Sequence, residues 1–257
     1  MSKKIGIVYF AYINPEKNWK KLISGQIKDV KSSGIFEEAA LYVVVSNPFS
    51  VNEEEIKQLF NSLKISDIEI EFHTENKFEY YGIHKLWELG INSAHRYLTY
   101  FHTKGMSYKG KYPFGLFNDR CIREIVLTHY LFKDYKKTVE LLDQEKFFRA
   151  GVLCNNEEPS FMFTWFNFFW ASSEYVKKLV EPEVTTNRFY YESWNSQLKT
   201  PLEPEKNNKC YSLYFRDYTS CTPDDSSNIL ARLRKIYKYT LPFSYFWFKL
   251  TLAVHSK

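Results

Sequence analysis

The sequence predicts an α/β protein built on a Rossmann-type, mostly parallel sheet flanked by helices, and three observations predict it. Ile5 to Tyr12 is a nearly continuous apolar run of strand length, the pattern of a central parallel strand covered on both faces. Strand-like segments then alternate with segments whose apolar residues recur every three or four positions. Finally, Arg96-Tyr-Leu-Thr-Tyr-Phe-His-Thr-Lys-Gly105 reads as a buried strand ending in three polar, ligand-capable side chains and a glycine.

The elements follow in order. After the first strand, Trp19, Leu22, Ile23, Ile27 and Val30 recur at helical spacing, and Gly34 is placed to close that helix. A second strand runs from Ala39 to Ser46 and stops at Asn47-Pro48. Ile56, Leu59, Phe60 and Leu63 make the next helical stripe, and Ile68, Ile70 and Phe72 alternate as in a half-buried strand. Tyr80, Ile83, Trp87, Ile91 and Ala94 define a third helix, which leads into the strand that ends at His102. Four strands separated by three helices argue for a parallel sheet. Further on, Phe148 to Cys154 reads as another strand and Thr164 to Ala171 as an aromatic cluster around Asn167. Ser172 or Ser173 caps a short helix bearing Tyr175, Val176 and Leu179. A last helical segment, Thr186 to Leu198, sets Glu192 among Tyr190, Tyr191 and Trp194.

Length and composition set the bounds. A chain of 257 residues holds a sizeable core and is most economically one α/β domain with appendages. Aromatic residues form 19% of it, more than a core needs, which suggests a groove or a membrane-facing surface; a compositional bias toward Phe, Tyr, Lys and Asn is the competing explanation. Four cysteines at 121, 154, 210 and 221 lack metal-ligand or paired spacing and read as reduced thiols of a cytoplasmic protein. Met1-Ser-Lys-Lys leads directly into the first strand, without secretory-signal character.

Charge is uneven. Residues 231 to 257 hold six Lys or Arg and no acid, leaving 29 basic and 30 acidic side chains in the first 230. The apolar run Leu241 to Val254 within that tail is too short to cross a bilayer, which takes roughly 20 residues. A basic flank beside an aromatic patch suits an anionic membrane surface and peripheral attachment there; docking on the core is the alternative. No basic, aromatic-interleaved face appears elsewhere, so no nucleic-acid partner is expected.

The chemistry concentrates at two places. In an open α/β sheet, ligands bind beyond the carboxyl ends of the strands. His102, Thr103 and Lys104 there suit a phosphate-bearing ligand: Lys104 supplies charge, while His102 and Thr103 hydrogen-bond or meet a metal. The alternative is a strand that simply turns into a polar loop. A G-x-G-x-x-G fingerprint and a G-x-x-x-x-G-K-[ST] loop are both absent, which argues against a classical NAD enzyme and the commonest nucleotide triphosphatases. Glu192, a carboxylate among aromatic rings, suits a general base; its alternative is an i,i+4 pair with Arg188 on a solvated helix face.

Three segments carry a resemblance: Phe101-His-Thr-Lys-Gly105, Phe166-Asn-Phe-Phe-Trp-Ala171 and Arg188-Phe-Tyr-Tyr-Glu-Ser-Trp194. In this order, over roughly residues 4 to 198, the chain resembles the glycosyltransferases of GT-A fold, in particular a bacterial and large-virus group of glycosyltransferase-like proteins. The resemblance implies a nucleotide-binding half (1–105), an acceptor and catalytic half (106–200), and a helical, aromatic C-terminal extension (201–257). It implies a nucleotide-sugar donor, with Phe10 and Tyr12 near the base and His102, Thr103 and Lys104 near the phosphates. Asn167 and Trp170 would shape the donor-sugar or acceptor site. Glu192 would deprotonate a hydroxyl of a glycan or lipid-linked acceptor in an inverting displacement. Two departures stand out. Phe166 replaces an expected glycine, and the Asp-x-Asp metal motif is absent. Lys104 is placed to do the cation's electrostatic work, so no cofactor is required, with Mn or Mg held through His102 as the alternative. A non-catalytic nucleotide-sugar or glycan-binding protein of the same fold is the competing reading.

Overall fold

The computed structural model describes residues 3–104, 106, 120, 122–144, 147–156, 163–187, 189–200, 209–221 and 228–229. The basic tail, Gly105, Arg188 and Cys121 lie outside the described residues. The fold is α/β, on a seven-stranded, mostly parallel sheet in the order β3-β2-β1-β4-β6-β5-β7.

The first half matches the expected strand and helix order closely. Strands β1 (Ile5–Tyr12), β2 (Ala39–Ser46), β3 (Ile68–His73) and β4 (Tyr97–His102) pair in parallel, β2 and β4 flanking β1. Helices α1 (Trp19–Lys31), α2 (Glu53–Ser62) and α3 (Tyr80–Asn92) are the crossovers. Local chemistry sets their ends. Asn18 and Asn52 accept backbone N–H bonds at the starts of α1 and α2, and Glu53, Glu54 and Glu55 lie in the positive first turn of α2. Beyond α1, Gly34 adopts a left-handed φ of 80°.

The second half departs from a simple parallel continuation. Helices α4 (Ile122–Phe132) and α5 (Tyr135–Asp143) precede β5 (Arg149–Gly151). A 3-10 turn (Trp165–Asn167) then leads into β6 (Phe169–Ser172), which inserts antiparallel between β4 and β5. Ser172 caps α6 (Ser173–Val176) by accepting the Tyr175 N–H, and α7 (Tyr190–Trp194) carries Glu192. Finally β7 (Tyr211–Ser212) pairs in parallel with β5, so residues beyond 200 contribute to the sheet. Among the described residues, no helix is long and apolar enough to cross a membrane.

Both sheet faces are covered. Ile5, Ile7 and Tyr9 face a core shared with Leu22, Ile27, Phe60, Leu131 and Phe132, on the side of α1, α2, α4 and α5. Val8 and Phe10 face the opposite core with Ile83, Leu86, Tyr175 and Trp194, beneath α3, α6 and α7. Helix α3 sits so close to the sheet that a Cβ at Gly82 would come within 2.7 Å of Phe10 Cβ and 2.9 Å of Tyr100 Cε2. Gly82→Ala must therefore lift α3 or displace Phe10, costing about 1–3 kcal/mol. A fall of several degrees in Tm without loss of secondary structure is expected; an unchanged Tm would disprove this close approach.

Candidate active site at the carboxyl ends of β1 and β4

The chain winds outward from β1 through β2 to β3 and returns to the other side of β1 as β4. The sheet's topological switch point therefore lies between β1 and β4, where open α/β sheets leave a crevice for ligand. Backbone and side chains lace the two strand ends together. The Thr103 N–H donates to the Phe10 carbonyl (3.0 Å) and the Tyr12 N–H to Thr103 Oγ1 (2.9 Å). Asn14 Nδ2 donates to the Met106 carbonyl (3.1 Å), tying the two following loops.

Lys104 is 9% exposed, and its ammonium lies 4.9 Å from the centre of the Phe166 ring. On the same ring, the Arg123 guanidinium approaches to 4.8 Å. Among the described residues, no carboxylate comes within ion-pair distance of Lys104. Two cations thus share one aromatic ring beside the switch point, a setting that favours an anionic ligand.

His102 is buried, and its Nε2–H donates to the Phe166 carbonyl (2.9 Å), an arrangement that fixes the neutral tautomer. Burial, reinforced by the charge of Lys104, pushes its pKa from 6.5 down to about 3, against the pull of the Phe166 carbonyl. Glu79, at the start of α3, completes a polar cluster that sequence reasoning missed. It accepts from Asn167 Nδ2 (2.7 Å) and the Tyr100 hydroxyl (3.2 Å), and its other oxygen lies 3.6 Å from His102 Nε2. Burial, then the Glu79 charge, raises the Tyr100 pKa well above its ordinary value. Nothing in the local sequence around Glu79 marks it; the packing of α3 on β4 selects it.

Phe166 has φ 67° and Asn167 φ 58°, two consecutive residues in the left-handed region that disfavours L side chains. This turn aims the Phe166 carbonyl at His102 and the Asn167 amide at Glu79.

The other expected residues divide. Thr103 and the half-buried Tyr12 line the switch point, and Tyr12 meets the half-exposed Phe49 edge to face at 6.4 Å. Phe10 is instead buried beneath the crevice in the α3-side core. Trp170 is fully buried on the opposite sheet face, where its indole N–H donates to the Leu131 carbonyl (2.9 Å) and its ring packs on Phe132; no ring face is open to a sugar. Glu192 is 7% exposed, so it does not lie on a solvated helix face; Arg188, its expected i,i+4 partner, lies outside the described residues. The backbone carbonyl of Glu192 accepts the Thr164 N–H (2.9 Å), holding α7 against the start of the 166–167 turn.

Among the described residues, no three of His, Cys, Asp and Glu cluster as a metal site. Glu79 and His102 alone do not make a ligand set, since His102 Nε2 is already engaged by Phe166.

These features define the class: a Rossmann-type α/β protein with two cations on one aromatic ring beside its switch point. No protein-family model matches the sequence, and no curated protein matches it. Among solved structures, the mannosyltransferase PcManGT from Pyrobaculum calidifontis, in complex with GDP-Man and Mn2+, is similar over 99% of this chain and 74% of its own, at 9% identity and a TM-score of 0.45. At that distance, neither its ligand nor its metal transfers to this chain.

Because the folded state holds His102 neutral, the unfolded chain takes up a proton that the folded chain refuses between about pH 6.5 and 3. Stability contributed by the neutral ring is complete above pH 6.5 and declines below it, by up to about 1.4 kcal/mol per pH unit. His102→Gln, which keeps a donor for the Phe166 carbonyl but does not titrate, is expected to flatten this part of a urea-unfolding profile. Superimposable profiles for the two proteins would refute the role given to His102.

Proposed function

We propose that this chain is a glycosyltransferase that moves a sugar from a nucleotide-sugar donor to a hydroxyl of a glycan or lipid-linked acceptor. The observation that carries the reading is Lys104, an almost wholly enclosed cation at the switch point with no carboxylate partner among the described residues. The resemblance of the three segments adds the sugar-nucleotide class. In this reading the base lies beside Tyr12 and Phe49, and the diphosphate meets Lys104 and Thr103. His102 and Glu79 position the 166–167 turn beside it. Asn167 is as buried as Trp170, so it shapes the site through its bond to Glu79 rather than by touching the sugar.

The step is an in-line, inverting displacement. Glu192 takes the proton of the acceptor hydroxyl as its oxygen bonds to the anomeric carbon, and the nucleoside diphosphate leaves against the charge of Lys104. Lys104 thereby does the work that a divalent ion does elsewhere, and turnover is expected to survive exhaustive chelation. Membrane-surface attachment through residues 231–257 rests on their composition alone.

Lys104→Ala removes the charge that faces the leaving group, and turnover with a UDP-, GDP- or dTDP-sugar is expected to fall by about 10²-fold or more, with weaker donor binding in a thermal-shift assay. Unchanged affinity and rate would end the phosphate assignment. Glu192→Gln keeps size but cannot accept a proton; a loss of about 10²–10⁴-fold in turnover with donor affinity retained is expected. A protein that binds the donor yet neither transfers nor hydrolyses the sugar would favour the non-catalytic binding reading.

A further inference from the structure

Beside Thr164, which leads into the 166–167 turn, two cysteines meet. Cys154 follows β5 and Cys210 precedes β7; both are fully buried, and their sulfurs lie 2.7 Å apart although 56 positions separate them in sequence. The pairing of Ala150 with Tyr211 and of Gly151 with Ser212 brings their segments together. Asn156 clamps the backbone of Cys210 from both sides, accepting its N–H (2.8 Å) and donating to its carbonyl (2.9 Å). The Cys221 N–H donates to the Cys154 carbonyl at 2.7 Å. Gly151 leaves space for the sulfurs, since a Cβ there would stand 2.8 Å from Cys154 Sγ. The two thiols are unequal. Burial opposes ionisation of Cys210, but the Cys154 S–H bond and the Arg149 charge outweigh it and lower the Cys210 pKa, whereas burial and the same bond raise that of Cys154.

We infer that Cys154 and Cys210 form a peroxide-sensitive dithiol, a modification site that closes into a disulfide and staples residues 209–221 to β5. Because both sulfurs are buried, the oxidant is of hydrogen-peroxide size rather than a bulkier disulfide. The Cys210 thiolate attacks one peroxide oxygen; the O–O bond breaks, leaving a sulfenic acid on Cys210 and a hydroxide that takes up the proton released by the Cys210 thiol. Cys154 Sγ then attacks Cys210 Sγ, and its proton leaves with the departing hydroxyl as water. Two thiols are oxidised and one peroxide is reduced to two waters.

The test uses the reduced full-length chain treated with dilute hydrogen peroxide, alkylated and mapped by peptide mass spectrometry. A Cys154–Cys210 cross-linked peptide, two hydrogens lighter than its reduced parts and lost with dithiothreitol, is expected. Oxidation is also expected to raise Tm by about 5–10 °C, reversibly. Cys210→Ala should abolish both effects and leave Cys154 open to alkylation on unfolding; if that variant does not fold, the wild-type cross-link map decides alone. The inference is overturned if Cys154 and Cys210 remain fully alkylatable after oxidation, or if the disulfide found joins Cys121, Cys221 or a second chain instead.

Discussion

The carbonyl end of β4 is gripped from both faces of the sheet, and the candidate site depends on that grip. On the α1 side, Gln26 Nε2 donates to the His102 carbonyl (3.0 Å) while its Oε1 accepts from the Tyr9 hydroxyl (2.7 Å). On the α3 side, the His102 ring donates to the Phe166 carbonyl (2.9 Å). Across the sheet, Thr103 Oγ1 holds the β1 end by accepting the Tyr12 N–H. With the strand end fixed in three directions, the backbone that follows has little freedom, and Lys104 is delivered to the switch point on a rigid support.

The polar groups beneath this support are buried and mutually satisfied. Gln26 also reaches Thr128, whose hydroxyl donates to Glu124 (3.3 Å). Arg120 then binds Glu124 in a fork of 3.0 and 2.6 Å and pairs with Asp29 at 2.9 Å. Burial raises the Glu124 carboxyl above its ordinary range although Arg120 pulls it down. Such a chain of partners adds little net stability, because desolvation offsets the attraction, but removing one member leaves a buried group unsatisfied. Its effect is specificity: α1, α4 and β4 meet in one arrangement.

Strain and polarity coincide on the other face. Phe166 and Asn167 hold a left-handed turn that a glycine would adopt without cost, and their fixed partners hold them there. Phe166 returns something a glycine lacks, a ring that Lys104 and Arg123 approach to 4.9 and 4.8 Å beside the switch point.

Most of the first half was legible in the chain itself. The apolar run Ile5–Tyr12 and the stripes of α1 to α3 report their own structure, because burial on two faces or on one dictates period and length. Thr103, Lys104 and Tyr12 could be placed for the same reason, as a strand's end is fixed by its register. What only the tertiary structure decided was pairing across long separations. The antiparallel insertion of β6 buried Trp170 in the core, although its aromatic surroundings in sequence suggested a sugar platform. Glu79 joined the site because α3 packs on β4, and Cys154 met Cys210 because β7 joins β5. Local sequence carries the periodicity that makes a strand or helix. It carries no comparable signal for which buried side chains will face one another, since that depends on the order in which the strands assemble.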